Sequence, residues 1–527
     1  MAHGRIATAL VVSACMALPS SLVAQNRNTQ RLKQEAFGII DSKADWLGRI
    51  GDAIFSYGEL GYHEVNTVRL LTGSLEQAGF RVERGIAGMP TAYRATYGSG
   101  SPVIGLMADF DCVPGASQKP GVVRHEPVVE GAPGHGEGHN TNPPTVMGAA
   151  LALKELIDKY HLSGTVIVFG GPAEELGGSR GYMTNAGAFK GVDAMIDAHV
   201  SSDFGTSYGL ANLAIVSVQW TFTGEPGHGA SPWTAKSALD AVELMNAGMN
   251  WRREHLPLDM RFHYVISNGG EQPNVVPAEA TVWYYLRHTN YEKLVDLLEI
   301  GRHVARGAAE MTGTTVSERI LAGSWPLNGN KALAQILQRN VELVGMPKWS
   351  SEDTAFATAF QRAMGKAEIT GLETAVRPIL ESRQGSSSSD VGDVTWNVPY
   401  ARLRFPSNIA GTLGGHHWSA AIAVATPVAH KGIAVGAKAI AGTLIDLMTD
   451  PRHVRAVKDD FAAQVKGVVW QSLLPPGTEP PIYMNGERMA RWRPLLEPHY
   501  YDPNSPQTLL EEWGISYPPA FRANRDK

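Results

Sequence analysis

Apolar residues recur at helical spacing near the start of the chain: Ile39, Leu47, Ile50, Ile54 and Tyr57, then Leu70, Leu71 and Leu75. This predicts helices between residues 29 and 79. The pattern then changes to short, continuous apolar runs. Residues 103–108, Val-Ile-Gly-Leu-Met-Ala, read as a buried strand that stops at Asp109-Phe110-Asp111. A helical stretch over 147–160 leads to a second run, 165–169, which enters Gly170-Gly171-Pro172-Ala173-Glu174-Glu175. A third run, 194–197, ends at Ala198-His199. Strands alternating with helices predict an α/β fold, a mostly parallel sheet with helices on both faces. In such sheets chemistry gathers at the carboxyl ends of the strands, where all three runs carry acidic or imidazole residues.

The texture changes near Leu213. Strands over 214–224, 262–268, 280–288 and 315–321 alternate with helices over 237–255 and 291–311. This β-α-β-β-α-β order is that of a small ferredoxin-like α+β sheet with helices on one face. It predicts an inserted domain over 213–325, splitting a larger catalytic domain into 25–212 and 326–450. Residues 451–527, rich in Pro and Trp, form a C-terminal extension expected to wrap the surface.

Composition narrows the class. A chain of 527 residues is too long for one compact core. Its 43% hydrophobic and 18% charged content is that of a soluble globular enzyme, and a net charge of -5 gives no reason to expect nucleic-acid binding. Arg5, the apolar run 6–18 and the small residues before Gln25 read as an export signal over 1–24, cleaved after Ala24. The expectation is an exported, periplasmic or secreted protein, with lipoprotein anchoring at Cys15 as the alternative. Cys15 and Cys112 are the only cysteines, so the mature chain has no internal disulfide. No other run is long and apolar enough to predict a transmembrane span.

Candidate chemistry begins at Gly134-His135-Gly136-Glu137-Gly138-His139-Asn140, where glycines leave room for Glu137 and His139 to aim at one ion. His135 is a candidate supporting partner. A flexible polar loop would look the same. Adjacent Glu174 and Glu175 repel each other unless a cation compensates, and metal-assisted hydrolysis needs one carboxylate for the ion and another for the proton. His199 and the His416-His417 pair are, singly, as consistent with structural histidines. Taken as a set, Glu137, His139, Glu175, His199 and His416 all fall in loops expected at one sheet edge. That mixture suits zinc, manganese or cobalt. Gly205-Thr206-Ser207-Tyr208-Gly209 matches a serine-hydrolase pattern, but a strand follows it where that pattern needs a helix.

Together, the 134–140 loop, Gly171-Pro172-Ala173-Glu174-Glu175, Ala198-His199 and Gly227-His228-Gly229-Ala230-Ser231-Pro232 resemble the dinuclear metallopeptidases that include aminoacylases and glutamate-releasing carboxypeptidases. Ser388-Ser389-Asp390-Val391-Gly392-Asp393 and His416-His417-Trp418 resemble the p-aminobenzoyl-glutamate hydrolase branch, related to auxin-conjugate amidohydrolases. The likeness spans about residues 34–449. It implies two divalent metal ions, zinc or manganese, on His139, Glu175, His199 and His416, with Glu174 as general base. It further implies that the inserted domain is a lid and dimerisation unit. His228 would reach the partner's site to stabilise the oxyanion, and Asn274 and Arg287 would hold a substrate carboxylate. Glu137 stands where this branch has a cysteine ligand, and Asp109 and Asp111 are auxiliary candidates. The reading is a homodimeric amidohydrolase acting on an N-acyl amino acid or an aminobenzoyl-glutamate-like small molecule. The alternatives are a metal-poor binding member of the same fold, or a dipeptidase or carboxypeptidase.

Overall fold

The computed structural model describes residues 20–519, with side chains from residue 27 onward. The predicted leader, 1–24, and Cys15 lie wholly or largely outside the described residues. Thirteen strands are present among those described: β1 (Arg81–Arg84), β2 (Tyr93–Ser99), β3 (Val103–Ala108), β4 (Gly164–Gly170), β5 (Ala194–Ser201), β6 (Gly205–Ala211), β7 (Ala214–Thr223), β8 (Arg261–Asn268), β9 (Glu279–His288), β10 (Thr315–Ser324), β11 (Leu327–Gly329), β12 (Leu380–Glu381) and β13 (Tyr400–Pro406).

Nine of them form one sheet in the order β1-β2-β4-β3-β5-β13-β6-β11, with β12 against β6. Its centre, β4-β3-β5-β13, is parallel. Toward the edges, β1, β2, β6 and β11 pair antiparallel. The apolar runs owe their continuity to burial on both faces. Ile104, Leu106 and Ala108 of β3 enter one core, and Met107 enters the other. On the first face lie the helices Ser20–Tyr57, Val65–Gln77, Asn142–Tyr160, Lys331–Val344 and Pro427–Thr449. The last is long and apolar enough to cross a membrane by composition, yet 78% of its apolar window is buried here against sheet and helices. Gly432 lets it come close: a Cβ there would lie 2.3 Å from the Pro406 carbonyl oxygen.

The second sheet, β10-β7-β9-β8, is antiparallel throughout and is built from residues 214–324. Helices Ala238–Arg252 and Tyr291–Thr312 pack against it through Val242, Leu294 and Leu298, around Trp220 and Tyr284. β8 is an edge strand with Val265 and Ile266 exposed. Beyond residue 450 the chain forms helices Pro451–Gln464, Gly486–Leu496 and Leu509–Glu512. It is held to the body by specific contacts: Tyr501 and Leu509 are buried beside Phe55, and Arg493 donates to the His63 carbonyl at 2.8 Å.

Two ion pairs, one buried and one partly buried, tie the helical layer together. Lys33 lies 2.7 Å from Asp446, with Asn340 donating to the same carboxylate at 2.8 Å. His430 lies 2.8 Å from Asp52. Removing one member of a buried pair leaves the other uncompensated, so Lys33→Ala is expected to lower the unfolding free energy by about 3 kcal/mol. Urea denaturation measures this, and a loss under ~1 kcal/mol would contradict it. For His430, burial opposes the charge but Asp52 outweighs it, and the net shift is upward. A histidine raised in the fold contributes stability that is complete below its unfolded value of about 6.5 and fades as pH climbs through its folded value. The melting-temperature gap between wild type and His430→Ala is therefore expected to be wider at pH ~6 than at pH ~9; equal gaps would refute it.

Candidate metal centre

The carboxyl ends of the central strands place the acidic residues. β3 stops at Ala108 and delivers Asp109 and Asp111, both fully buried. After β4 the backbone turns sharply at Ala173, in the left-handed region at φ 58. A side chain there is strained, and the strain is held by Glu64, whose carboxylate accepts the Ala173 N–H at 2.9 Å. The following one-turn helix, Glu174–Leu176, projects both glutamates from the strand end. His139 opens a similar turn after Gly138, leading into the helix Asn142–Tyr160. His199 sits in β5 opposite Arg404 of β13. His416, also left-handed at φ 61, is pinned by its N–H to the Gly136 carbonyl at 3.2 Å. Gly415 lies close beside it: a Cβ there would fall 2.9 Å from the Glu137 carboxylate, which would have to shift.

These residues converge in three overlapping groups. Asp109, His139 and His199 form one, His139, Glu174 and Glu175 the next, and Glu137, Glu175 and His416 the third; within each group the ligand atoms lie within 4.8 Å of one another. His416 Nε2 is 2.9 Å from Glu175 and 3.7 Å from Glu137. His139 Nδ1 is 3.9 Å from Glu175 and 3.5 Å from Asp111. The rings of His139 and His199 meet edge-on with centroids 5.6 Å apart. His139 and Glu175 are each shared between two groups, which suits two cations side by side. Asp109, an auxiliary candidate in the sequence, falls at ligand distance, and Asp111 flanks His139.

The electrostatics fit cations. Burial, then the charges of Asp109 and Glu175, pushes the Glu174 carboxyl well above its ordinary range. Burial likewise raises Glu175. Burial alone would lower the His139 pKa, but Asp111, Glu175 and Asp109 reverse this and raise it well above the usual imidazole value. Both ring nitrogens of His139, Glu175 Oε1, Asp109 Oδ2 and Asp111 Oδ1 are buried without a hydrogen-bond partner. Buried polar atoms left unpaired in this number, nearly all able to donate lone pairs, are what a metal centre would satisfy.

Sequence reasoning missed the cationic frame behind the site. Arg180 is fully buried and forms ion pairs with Asp109 and Asp390. Arg402 and the Tyr400 hydroxyl both donate to Asp197 at 2.7 Å. Asp390 was visible as part of a motif; Arg180, within Ser-Arg-Gly-Tyr, carried no signal. His135 does not support the ligands. It lies 3.2 Å from the Ile54 carbonyl and stacks on Phe55, and burial lowers its pKa to about 3. An extended loop would place residues 135, 137 and 139 on one side, but this one bends at residues 136–137 and turns left-handed at Gly138, φ 92, so the even spacing does not carry His135 to the cluster. His417 turns away to hold Ser419, 2.9 Å from its hydroxyl.

A cavity of about 780 Å³ opens beside the cluster, lined by Glu174, Glu175, His199, His416, Tyr400, Arg287 and Arg402 among others. Arg287 enters it with a buried, unpartnered Nε. His228 and Asn274 lie apart from this cavity. They adjoin each other on exposed loops of the small sheet, where the Gly229 N–H donates to the Asn274 carbonyl at 2.8 Å. Ser207 lies within extended β6 and contacts Ser382 at 3.0 Å, so the Gly-x-Ser-x-Gly match forms no strand-to-helix elbow.

The model of peptidase family M20/M25/M40 matches residues 105–417. A p-aminobenzoyl-glutamate hydrolase polypeptide of Escherichia coli (strain K12) is 34% identical over 428 residues, covering 76% of this chain and 89% of that one. The Xaa-Arg dipeptidase of Mus musculus is 29% identical over 450 residues, covering 82% and 93%. Among solved structures, a dinuclear metal-binding peptidase of the M20 family from Bacillus subtilis shares the fold, with a TM-score of 0.51, 16% identity and coverage of 77% of this chain and 99% of that one. The buried acid-and-imidazole cluster at the ends of parallel strands, the extent of the family match and the identity to a hydrolase over most of the chain agree: this chain belongs to the M20/M25/M40 peptidase family and is a hydrolase of amide bonds.

Proposed function

We propose that the chain is a two-metal amidohydrolase that cleaves the amide of an N-acyl amino acid or an aminobenzoyl-glutamate-like molecule, with Glu174 as general base. The observation that carries this reading is the trio of overlapping ligand groups joined through His139 and Glu175. Glu137, His139, Glu175, His199 and His416 would hold the ions, zinc or manganese; Glu137, a harder ligand than a thiolate, favours these over softer metals. When bound, the ions supply Lewis acidity that acidifies a water and polarises the substrate carbonyl.

The chain's own residues do the rest. The Glu174 carboxylate takes the proton of the attacking water and returns it to the leaving amine. The planar Arg287 guanidinium, which lines the cavity beside the Tyr285 ring, binds the substrate carboxylate through paired hydrogen bonds. His228 and Asn274, displaced from their own chain's cavity, serve the site of a second copy, His228 at the developing oxyanion. The unpaired edge of β8, with Val265 and Ile266 exposed, supports a symmetric dimer through the small sheet. Arg5 and the apolar run after it support export.

Glu174→Gln is expected to reduce turnover of an N-acyl glutamate at least ~100-fold while metal analysis still finds about two ions per chain. A variant that loses its metal along with its activity would make Glu174 a ligand and not the base. Co-expressed Glu174→Gln and His228→Ala chains, each inactive alone, are expected to recover about a quarter of wild-type activity, since half of randomly formed dimers contain one complete site. Mixed dimers without activity would confine His228 to its own protomer.

A further inference from the structure

A second cavity, of about 510 Å³, also borders Glu175 and His416. Both cavities share Glu175, Tyr285 and His416, so an amide held at the cluster would extend into each. The first cavity is lined by Arg287, Arg402 and Arg404 and suits the carboxylate-bearing amine side of the substrate. The second is walled mainly by Leu60, Val113, Leu176, Val265 and Trp283, and suits the body of an acyl group. Its polar lining includes Asn485 and Arg488, which come from the C-terminal extension.

We propose that this extension is part of the substrate site and that Arg488 determines specificity by binding a carboxylate at the far end of the acyl group. The proposal rests on the amidohydrolase reading for the placement of the amide. Arg488 is exposed at the cavity rim, and the helix that carries it is fixed there by its neighbours. Arg488 Nη1 donates to Asn485 Oδ1 at 3.3 Å, and Asn485 Nδ2 donates to the Gly61 carbonyl at 3.2 Å. One residue on, Met489 is buried against Leu60 and Cys112, which themselves line the cavity. One turn further, Arg493 pairs with Glu59 at 3.4 Å. Arg488, by contrast, has no carboxylate within 4.0 Å among the described residues. An exposed guanidinium at the rim of an apolar pocket, with no acidic partner, is placed to pair with an anion on the ligand.

Benzoate and terephthalate, which adds a carboxylate across the ring, test this by calorimetry on the full-length protein. Wild type is expected to bind terephthalate about fivefold or more tightly than benzoate, the scale of one partly screened charge-assisted hydrogen bond. Arg488→Ala should bring that ratio close to one and Arg488→Lys should restore part of it, whereas Trp283→Ala should weaken both acids and leave the ratio unmoved. A ratio insensitive to Arg488→Ala, or no binding of either acid to wild type, overturns the proposal. The readout is independent of turnover. If the ratio shifts as expected but N-benzoyl-glutamate is not hydrolysed, the amidohydrolase reading fails while the Arg488 site stands. Hydrolysis with an unmoved ratio is the reverse case.

Discussion

Asp109, Asp111, Glu137, Glu174 and Glu175 stand together where parallel strands end, and their mutual repulsion in a poorly solvated space is the constraint around which the molecule is arranged. An uncompensated buried carboxylate is destabilising by several kcal/mol. Two kinds of positive charge answer this. Arg180 is committed within the protein, bound to Asp109 and Asp390 in full burial. The second is the metal that members of this family bind, and the lone pairs of His139, Asp111 and Glu175 stand unpaired within the protein. Arg180 holds Asp109 through Oδ1 and leaves its Oδ2 unpaired at the cluster.

Two of the seven non-glycine residues with left-handed φ among the described residues stand at the same place. Ala173 and His416, neither of them glycine, both adopt left-handed conformations beside residues of the cluster. Each is held by one hydrogen bond from a distant part of the chain, Glu64 to the first and Gly136 to the second. Such conformations persist only where the surroundings over-determine them. Here the surroundings include the packed helical layer on the first face, whose burial keeps the strand ends in register. Burial together with the charge of Asp111 raises the Glu64 pKa to about 8, which makes this support part of the same electrostatic problem.

The small sheet and the C-terminal extension give the site its walls. Tyr285 and Trp283 of β9 and His263 and Val265 of β8 face the apolar cavity, while the opposite wall includes Asn485 and Arg488 from beyond residue 450. Trp325, at the end of the small sheet, donates to the Gln471 carbonyl at 2.7 Å, and Arg319 of β10 stacks over Tyr483. The extension thus touches both the small sheet and the loop at Gly61 beneath the cluster, and its course couples the two.

Much of this was legible in the chain itself. Apolar runs of strand length, each stopping at an acid or a histidine, specified both the α/β class and the edge where chemistry would gather, because burial on two faces forces continuous hydrophobicity and the polar residues can only follow it. The adjacency of Glu174 and Glu175 and the spacing of Glu137 and His139 are local properties of the same kind. What only the tertiary structure decided are relations between distant segments that periodicity does not encode. Arg180 meets Asp390 across 210 residues, His135 points toward Ile54 and away from its neighbours' cluster, and Arg488 arrives beside a cavity from a tail that read as surface wrapping. Local pattern determines which elements form. Long-range packing determines which charges they bring together, since an ion pair leaves no trace in the residues adjacent to either partner.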